Sequence, residues 1–249
     1  MINNVLFLIF LLAHIIGDFY LQTENIAKRK KKEFLWVIFH SALYSLSFVL
    51  VGIIIPTIET KYLITLVAAH AAIDIAKYFI QNKILRMKEC ENESKFFIID
   101  QVLHILIIFA VLILNQESKL ESNLLVLLND YMEIIGISGV VAMNWTLKLL
   151  LIHKPMNIFI SSTLSRYKPT EKKSRIKEEK NAGRFIGTLE RTIILIFISI
   201  EQYSAVGLVL TAKSIARYDK ISKDQEFAEY YLLGTLLSTI CAILVSVLF

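Results

Sequence analysis

The sequence predicts an all-α fold, a polytopic transmembrane bundle of about six to eight membrane segments, on three observations. Hydrophobic residues make up 55% of the 249 and the mean hydropathy is +0.58, more apolar than a soluble domain of this length can bury. Several apolar runs reach the roughly 18–20 residues that a spanning helix requires. Only three Pro and eight Gly interrupt the chain, and no strand pattern suggests a barrel. The net charge of +5 sits in loops, so topology accounts for it and no nucleic-acid partner is expected. Cys90 in a charged loop and Cys241 in a terminal helix give neither a disulfide framework nor a thiolate metal spacing.

The first helix is expected over about 3–22, NNVLFLIFLLAHIIGDFYLQ, with His14, Asp18 and Gln22 on it. It lacks a basic leading region and a small-residue cleavage site, so it is read as retained rather than as a signal peptide. The block Lys28, Arg29, Lys30, Lys31, Lys32 follows and reads as a stop-transfer flank held in the cytoplasm, with the N-terminus outside. A second helix over about 34–55 carries His40, and a third over about 62–81 carries His70, Asp74 and Lys77. Lys83, Arg86, Lys88 and Lys95 mark the next cytoplasmic loop. A fourth helix over about 96–114 holds Asp100, Gln101 and His104.

Residues 123–130 read as a short interfacial piece, and a fifth span is expected at about 132–152, with Asn144, Trp145 and Lys148 on it. The most basic loop, 154–184, should be cytoplasmic and partly disordered. GRFIGTLERTIILIFISIEQY reads as a sixth span, SAVGLVLTAKSIARY as a re-entrant or tilted segment, and the stretch from about 228 as a final span. Two halves follow: 1–115, a four-helix His/Asp half, and 116–249, a C-terminal half with the basic loop 154–184. The loop charges suit a multi-pass membrane protein with its basic loops cytoplasmic.

His14–Asp18, His70–Asp74 and Asp100–His104 each span four residues, so each pair shares one helix face. At a rise of about 1.5 Å per residue, Asp18 and Asp100 lie roughly 6 Å in, His40 and Asp74 roughly 10 Å, His14 and His104 roughly 12 Å and His70 roughly 16 Å. That is one layer in the cytoplasmic half. Ionisable groups at such depth are costly and mark a functional site by default.

His14, Asp18, His40, His70, Asp74, Asp100 and His104 thus form a metal-ligand set suited to Zn²⁺ first, with Mn²⁺ or Fe²⁺ as alternatives, one or two ions. The metal would activate a water, with Asp74, Asp18 or Asp100 as base. Lys77 would hold an anionic group, and Gln22 and Gln101 would orient ligands or substrate. The expected function is a metal-dependent hydrolase acting on a phosphoester or lipid. The alternative is a divalent-cation or proton transporter, but the far halves of these helices are nearly all apolar, which favours a blind cavity.

Each His–Asp pair taken alone reads as a structural hydrogen bond. His153 reads as a solvated boundary residue, and Glu190, Arg191, Lys213 and Arg217 as structural ion pairs or caps. Nothing in the sequence assigns a role to Tyr20, Tyr44 or Tyr78. A serine nucleophile at Ser41 or Ser45 beside His40 is a weaker option, since adjacent residues point to different faces. The expected partners are membrane lipid, a small-molecule or lipid substrate and a second copy of the chain.

AHIIGDFYLQT, then His40, then HAAIDIAKYF and FIIDQVLHI, resemble a bacterial membrane family, domain-of-unknown-function family 3307. The resemblance covers about 5–115, through His14, Asp18, Gln22, His40, His70, Asp74, Lys77, Asp100, Gln101 and His104. It implies a helical membrane protein and carries no activity. The layout is similar in kind to inner-membrane metal-dependent hydrolases that also place His and Asp near helix ends.

Overall fold

The computed structural model describes residues 4–84, 93–115, 123–168 and 176–249, and among these it is helical with no strand. Cys90, Arg86, Lys88, Lys119 and the centre of the basic loop, 169–175, lie outside the described residues. Four helices are long and apolar enough to cross a membrane, or up to six spans if each of two bent pairs is one crossing. The chain divides into two compact units, Met1–Leu147 and Lys148–Phe249.

In the first unit α1 (Asn4–Ile15) runs into a π-helical turn, Ile16–Tyr20, closed by Leu21 N–H donating to Ile16 O at 2.9 Å. The expected single helix to residue 22 therefore ends early. Thr23 starts a new one: its hydroxyl accepts from Ile26 N–H at 3.3 Å and caps α2 (Glu24–Lys30), bent 82° from α1. The basic block is thus a short helix and its end, rather than a bare flank. α3 (Phe34–Ile54) and α4 (Thr60–Phe79), continued by a π turn at Ile80–Ile84, match the second and third expected spans. α5 (Glu93–Leu114) matches the fourth.

These four long helices bury one another. α3 packs on α1 and α4, and α5 packs on α1 and α4. Towards the Asn4 end of α1 the interior is apolar: Leu6, Phe10, Phe48, Val51, Leu63, Leu66, Ile108 and Val111 are all buried. Phe7 stacks on Phe109 there, with ring centroids 4.9 Å apart. The opposite end of the same bundle holds its buried His and Asp residues.

α6 (Asn123–Ile134) and α7 (Gly139–Thr163) replace the interfacial piece and the span expected at 132–152. They meet at a 95° bend through Gly136, whose φ of +75° favours glycine. α7 runs past Pro155 to Thr163, a 3₁₀ turn continues to Tyr167 and the next helix starts at Ile176, so the expected 154–184 loop is helical in nearly all its described residues. His153 is exposed on this helix, as a solvated residue should be, but in mid-helix rather than at a span end.

The second unit is built from the rest of α7, α8 (Ile176–Ser199), α9 (Tyr203–Ile215), α10 (Tyr218–Lys223) and α11 (Gln225–Leu248). α8 packs on α9 and α11. With 13 residues α9 is about 20 Å long, short of the roughly 30 Å hydrocarbon core. Arg191 is 2% exposed and joins three helices. Its Nε donates to Ile152 O at 2.9 Å, Nη1 to Ser238 Oγ at 3.1 Å and Nη2 to Asn157 Oδ1 at 2.8 Å. Its neighbour Glu190 takes a different partner, Lys213 on α9, at 2.6 Å. Cys241 is a buried free thiol on α11.

Candidate metal centre

Each of the four long helices of the first unit delivers part of one buried cluster. α1 supplies His14 and its π turn Asp18; α3 supplies His40 and Tyr44; α4 supplies His70, Asp74 and Lys77; α5 supplies Asp100, Gln101 and His104. The six ligand-type residues besides His40 are 1–6% exposed, and His40 is fully buried. Helices enter and leave this layer in opposite directions, yet the side chains meet. The π turn has a role here: widening the helix by one residue per turn turns Asp18 off the His14 face and towards α3 and α5. Asp18 Oδ1 accepts from His40 Nε2 at 3.2 Å and Oδ2 from Gln101 Nε2 at 2.8 Å.

Close approach of α1 to α3 depends on Gly17. A Cβ there would stand 2.7 Å from Tyr44 Cδ2 and 2.9 Å from Ser47 Oγ. Tyr44 cannot yield cheaply, because its ring is buried and stacks on His70 with centroids 3.5 Å apart and planes at 4°. Gly17→Ala should therefore cost about 1–3 kcal/mol of stability, the usual scale of overpacking. A lowered unfolding temperature in detergent checks this.

Hydrogen-bond bookkeeping separates the imidazoles. The Asp100 carbonyl can only accept, so His104 Nδ1–H donates to it at 2.7 Å, which leaves His104 Nε2 as an acceptor. His70 Nδ1–H then donates to that nitrogen at 2.7 Å, and His70 Nε2 is left with a bare lone pair. That nitrogen is buried and has no hydrogen-bond partner, with Asp74 Oδ2 3.7 Å away. His14 has both nitrogens engaged: Nε2–H donates to Gln101 Oε1 at 3.2 Å, and Tyr44 O–H donates to Nδ1 at 3.1 Å. So His14 and His104 hold other groups in place, while His70 presents a free lone pair towards carboxylates.

Asp18, His40 and His70 offer ligand atoms that all lie within 4.8 Å of one another, a group able to hold a metal ion. Asp74 Oδ2 adjoins it, 3.5 Å from His40 Nε2. Bonds of about 2.0–2.2 Å in a tetrahedral site set ligand atoms roughly 3.3–3.6 Å apart. Asp18 to His40 at 3.2 Å, and Asp74 to His40 and His70 at 3.5 and 3.7 Å, are near that spacing. The whole Asp18–His40–His70 group, within 4.8 Å, has to draw in to close on one ion. Charge points the same way. Three carboxylates, Asp18, Asp74 and Asp100, face two ammoniums, Lys30 at 3.1 Å from Asp74 and Lys77 at 2.9 Å from Asp100. With neutral imidazoles one negative charge is in excess, in a region where an uncompensated charge is costly.

Of the residues singled out from sequence, Asp18, His40 and His70 come together as one group and Asp74 borders it. Asp100, His104, His14 and Gln101 form the hydrogen-bonded shell beside it, and Lys77 pairs with Asp100. Gln22 sits half-buried in the turn before α2. Two residues of the site had no assigned role. Tyr44 lies one turn after His40, and that i, i+4 spacing is the signal that would have found it. Lys30 carried no such signal within a run of five cations. Ser41 and Ser45 are not activated: each hydroxyl donates to a carbonyl of its own helix, Val37 O and Ala42 O.

No curated protein and no solved structure matches the chain. A family model described as a protein of unknown function, DUF3307, matches residues 6–132, from α1 into α6 and through every residue of the cluster. The chain belongs to the DUF3307 family.

Proposed function

We propose that this multi-pass membrane protein is a metal-dependent hydrolase whose Asp18, His40 and His70 bind a divalent transition metal, Zn²⁺ foremost, with Mn²⁺ or Fe²⁺ as alternatives. The observation that carries the reading is the bare His70 Nε2, buried without a partner and aimed at carboxylate oxygen. Three protein ligands leave a fourth position open, as catalytic zinc sites do. A metal there supplies a water acidic enough to ionise near neutral pH. Asp74 borders that position and serves as general base or as a further ligand. His104 fixes the His70 tautomer, and Gln101 holds Asp18 from the other side, the supporting roles that metal ligands require.

Lys77 balances Asp100 and lies at the more exposed margin of the cluster, where it can meet an anionic group of a phosphoester or lipid substrate. The basic α2 end of the bundle is read as cytoplasmic, so the site would face the inner leaflet of a bacterial inner membrane. Transport of a divalent cation or protons is the competing use of the same residues. The packing opposes it: beyond the cluster the interior is closed by Phe10, Phe48, Leu66 and Ile108, and no buried charged residue continues a path among the described residues of the first unit.

The test is hydrolysis of a panel of phosphomonoesters, phosphodiesters and glycerolipids by purified protein loaded with Zn²⁺ or Mn²⁺. Turnover that falls at least about 100-fold in Asp74→Asn is expected, on the usual scale of a lost general base. Metal flux into liposomes, abolished by the same substitution and without turnover of any ester, would replace the hydrolase by the transporter.

A further inference from the structure

We propose that Lys30 is the built-in counter-cation of this site, and that its ammonium and a divalent metal ion are alternative partners of Asp74. The inference rests on the metal reading above and adds the step that precedes loading. Asp74 Oδ2 is the shared atom: Lys30 Nζ lies 3.1 Å away, His40 Nε2 3.5 Å and His70 Nε2 3.7 Å. A metal bonded to that oxygen at about 2.0–2.2 Å would stand within a few ångströms of the ammonium. Two cations that close repel strongly where little water screens them. One must leave, and Lys30 is the one attached to a movable element.

α2 is a separate helix of seven residues, joined to α1 through the turn at 21–23 and anchored by one buried side chain, Ile26. Its far end is held at the surface by bonds from α4 and from the π turn that follows it. Asn82 Nδ2 donates to Lys31 O at 2.8 Å and Tyr78 O–H to Lys32 O at 3.4 Å. An element held by few buried contacts and exposed bonds opens at low cost. Lys30 is also placed as a stopper. Its side chain is 15% exposed against 3% for Asp74, so it reaches the carboxylate from the outer margin of the cluster. Lys77 differs: Asp74 Oδ2 borders both His40 and His70 Nε2, whereas the Asp100 carboxylate that Lys77 holds has Gln101 as its other partner, so that pair can persist after loading. Release of Lys30 frees Asp74 to border or join the ion. In the empty site Lys30 thereby keeps Asp74 paired, and the filled site is assembled only when a divalent cation competes.

Trp36 reports the event. Arg29 of α2 lies over its ring, 4.7 Å from the centroid, and should move with Lys30. The experiment titrates Zn²⁺ into full-length protein in detergent, carrying Trp145→Phe so that Trp36 is the single emitter. Expected are a Trp36 emission change with the same midpoint as Zn²⁺ binding, a Zn²⁺ affinity at least about tenfold tighter in Lys30→Met, and near wild-type affinity in Lys30→Arg. Lys30→Gln replaces Lys30→Met if the latter does not fold. Equal affinities in wild type and the uncharged variants, with Zn²⁺ bound by all, would overturn the displacement while the metal centre stands. No Zn²⁺ bound by any of them would overturn the metal centre and the displacement with it.

Discussion

Asp18→Asn should purify with less than about a tenth of the wild-type metal, since the substitution removes the anionic ligand that the two imidazoles cannot replace. The effect should be graded across the cluster in a way that its geometry dictates. His40→Ala and His70→Ala each delete a ligand nitrogen and should be as severe. His104→Ala should be milder, roughly 10–100-fold in affinity, because it removes the acceptor that fixes the His70 Nδ1–H tautomer and leaves the ligand itself. His14→Ala should resemble His104→Ala, acting through Gln101 and so through Asp18. Isothermal titration with Zn²⁺ on the five variants measures the series. A ranking in which His104→Ala is worse than His40→Ala would mean that the ion sits between His70 and His104 instead.

Arg191→Ala should be the most destabilising single change in the second unit and should leave metal binding untouched. The guanidinium satisfies the Ile152 carbonyl, Ser238 and Asn157, and it is buried at 2% exposure. Truncation strands these groups and opens a cavity, a loss on the order of 3–5 kcal/mol. Arg191→Lys should recover only part of the stability, since one ammonium cannot reach acceptors spread over α7 and α11. Thermal unfolding in detergent, followed by helical circular dichroism, checks the order wild type, Lys, Ala. An Ala variant as stable as wild type would show that these bonds add nothing net.

The layer of His and Asp was legible in the sequence because helical spacing and apolar flanks are enough to place a side chain by depth. His40, His70 and Asp18 come from three helices, and a rise of about 1.5 Å per residue puts them at comparable heights. Which of them would act as ligands was not legible, because that turns on tautomers. Only the contact of His104 Nδ1 with the Asp100 carbonyl reveals that His70 keeps a free lone pair. The π turn after Ile15 was also hidden, since nothing in IGDFY distinguishes it from ordinary helix, and with it went the reach of Asp18 to α3.

Lys30 was lost in its neighbours. Lys28, Arg29, Lys31 and Lys32 are exposed, and only the 82° bend after the Thr23 cap turns one cation of five inward. The basic loop at 154–184 was misread at its start for a related reason. Polar residues and Pro155 look like a helix end, and NIFISST is a weak helix former, yet α7 and its 3₁₀ turn continue to Tyr167 with Leu164 buried, packing overriding propensity. Arg191 was read as a structural group, and the structure shows which partners it takes.

Elemental analysis of the purified full-length protein beside its His70→Ala variant bears most directly on the whole account. The account predicts about one equivalent of a divalent transition metal in the wild type, retained through dialysis, and its loss in His70→Ala with helical content unchanged. A wild type that comes through metal-replete purification with no bound transition metal would contradict it.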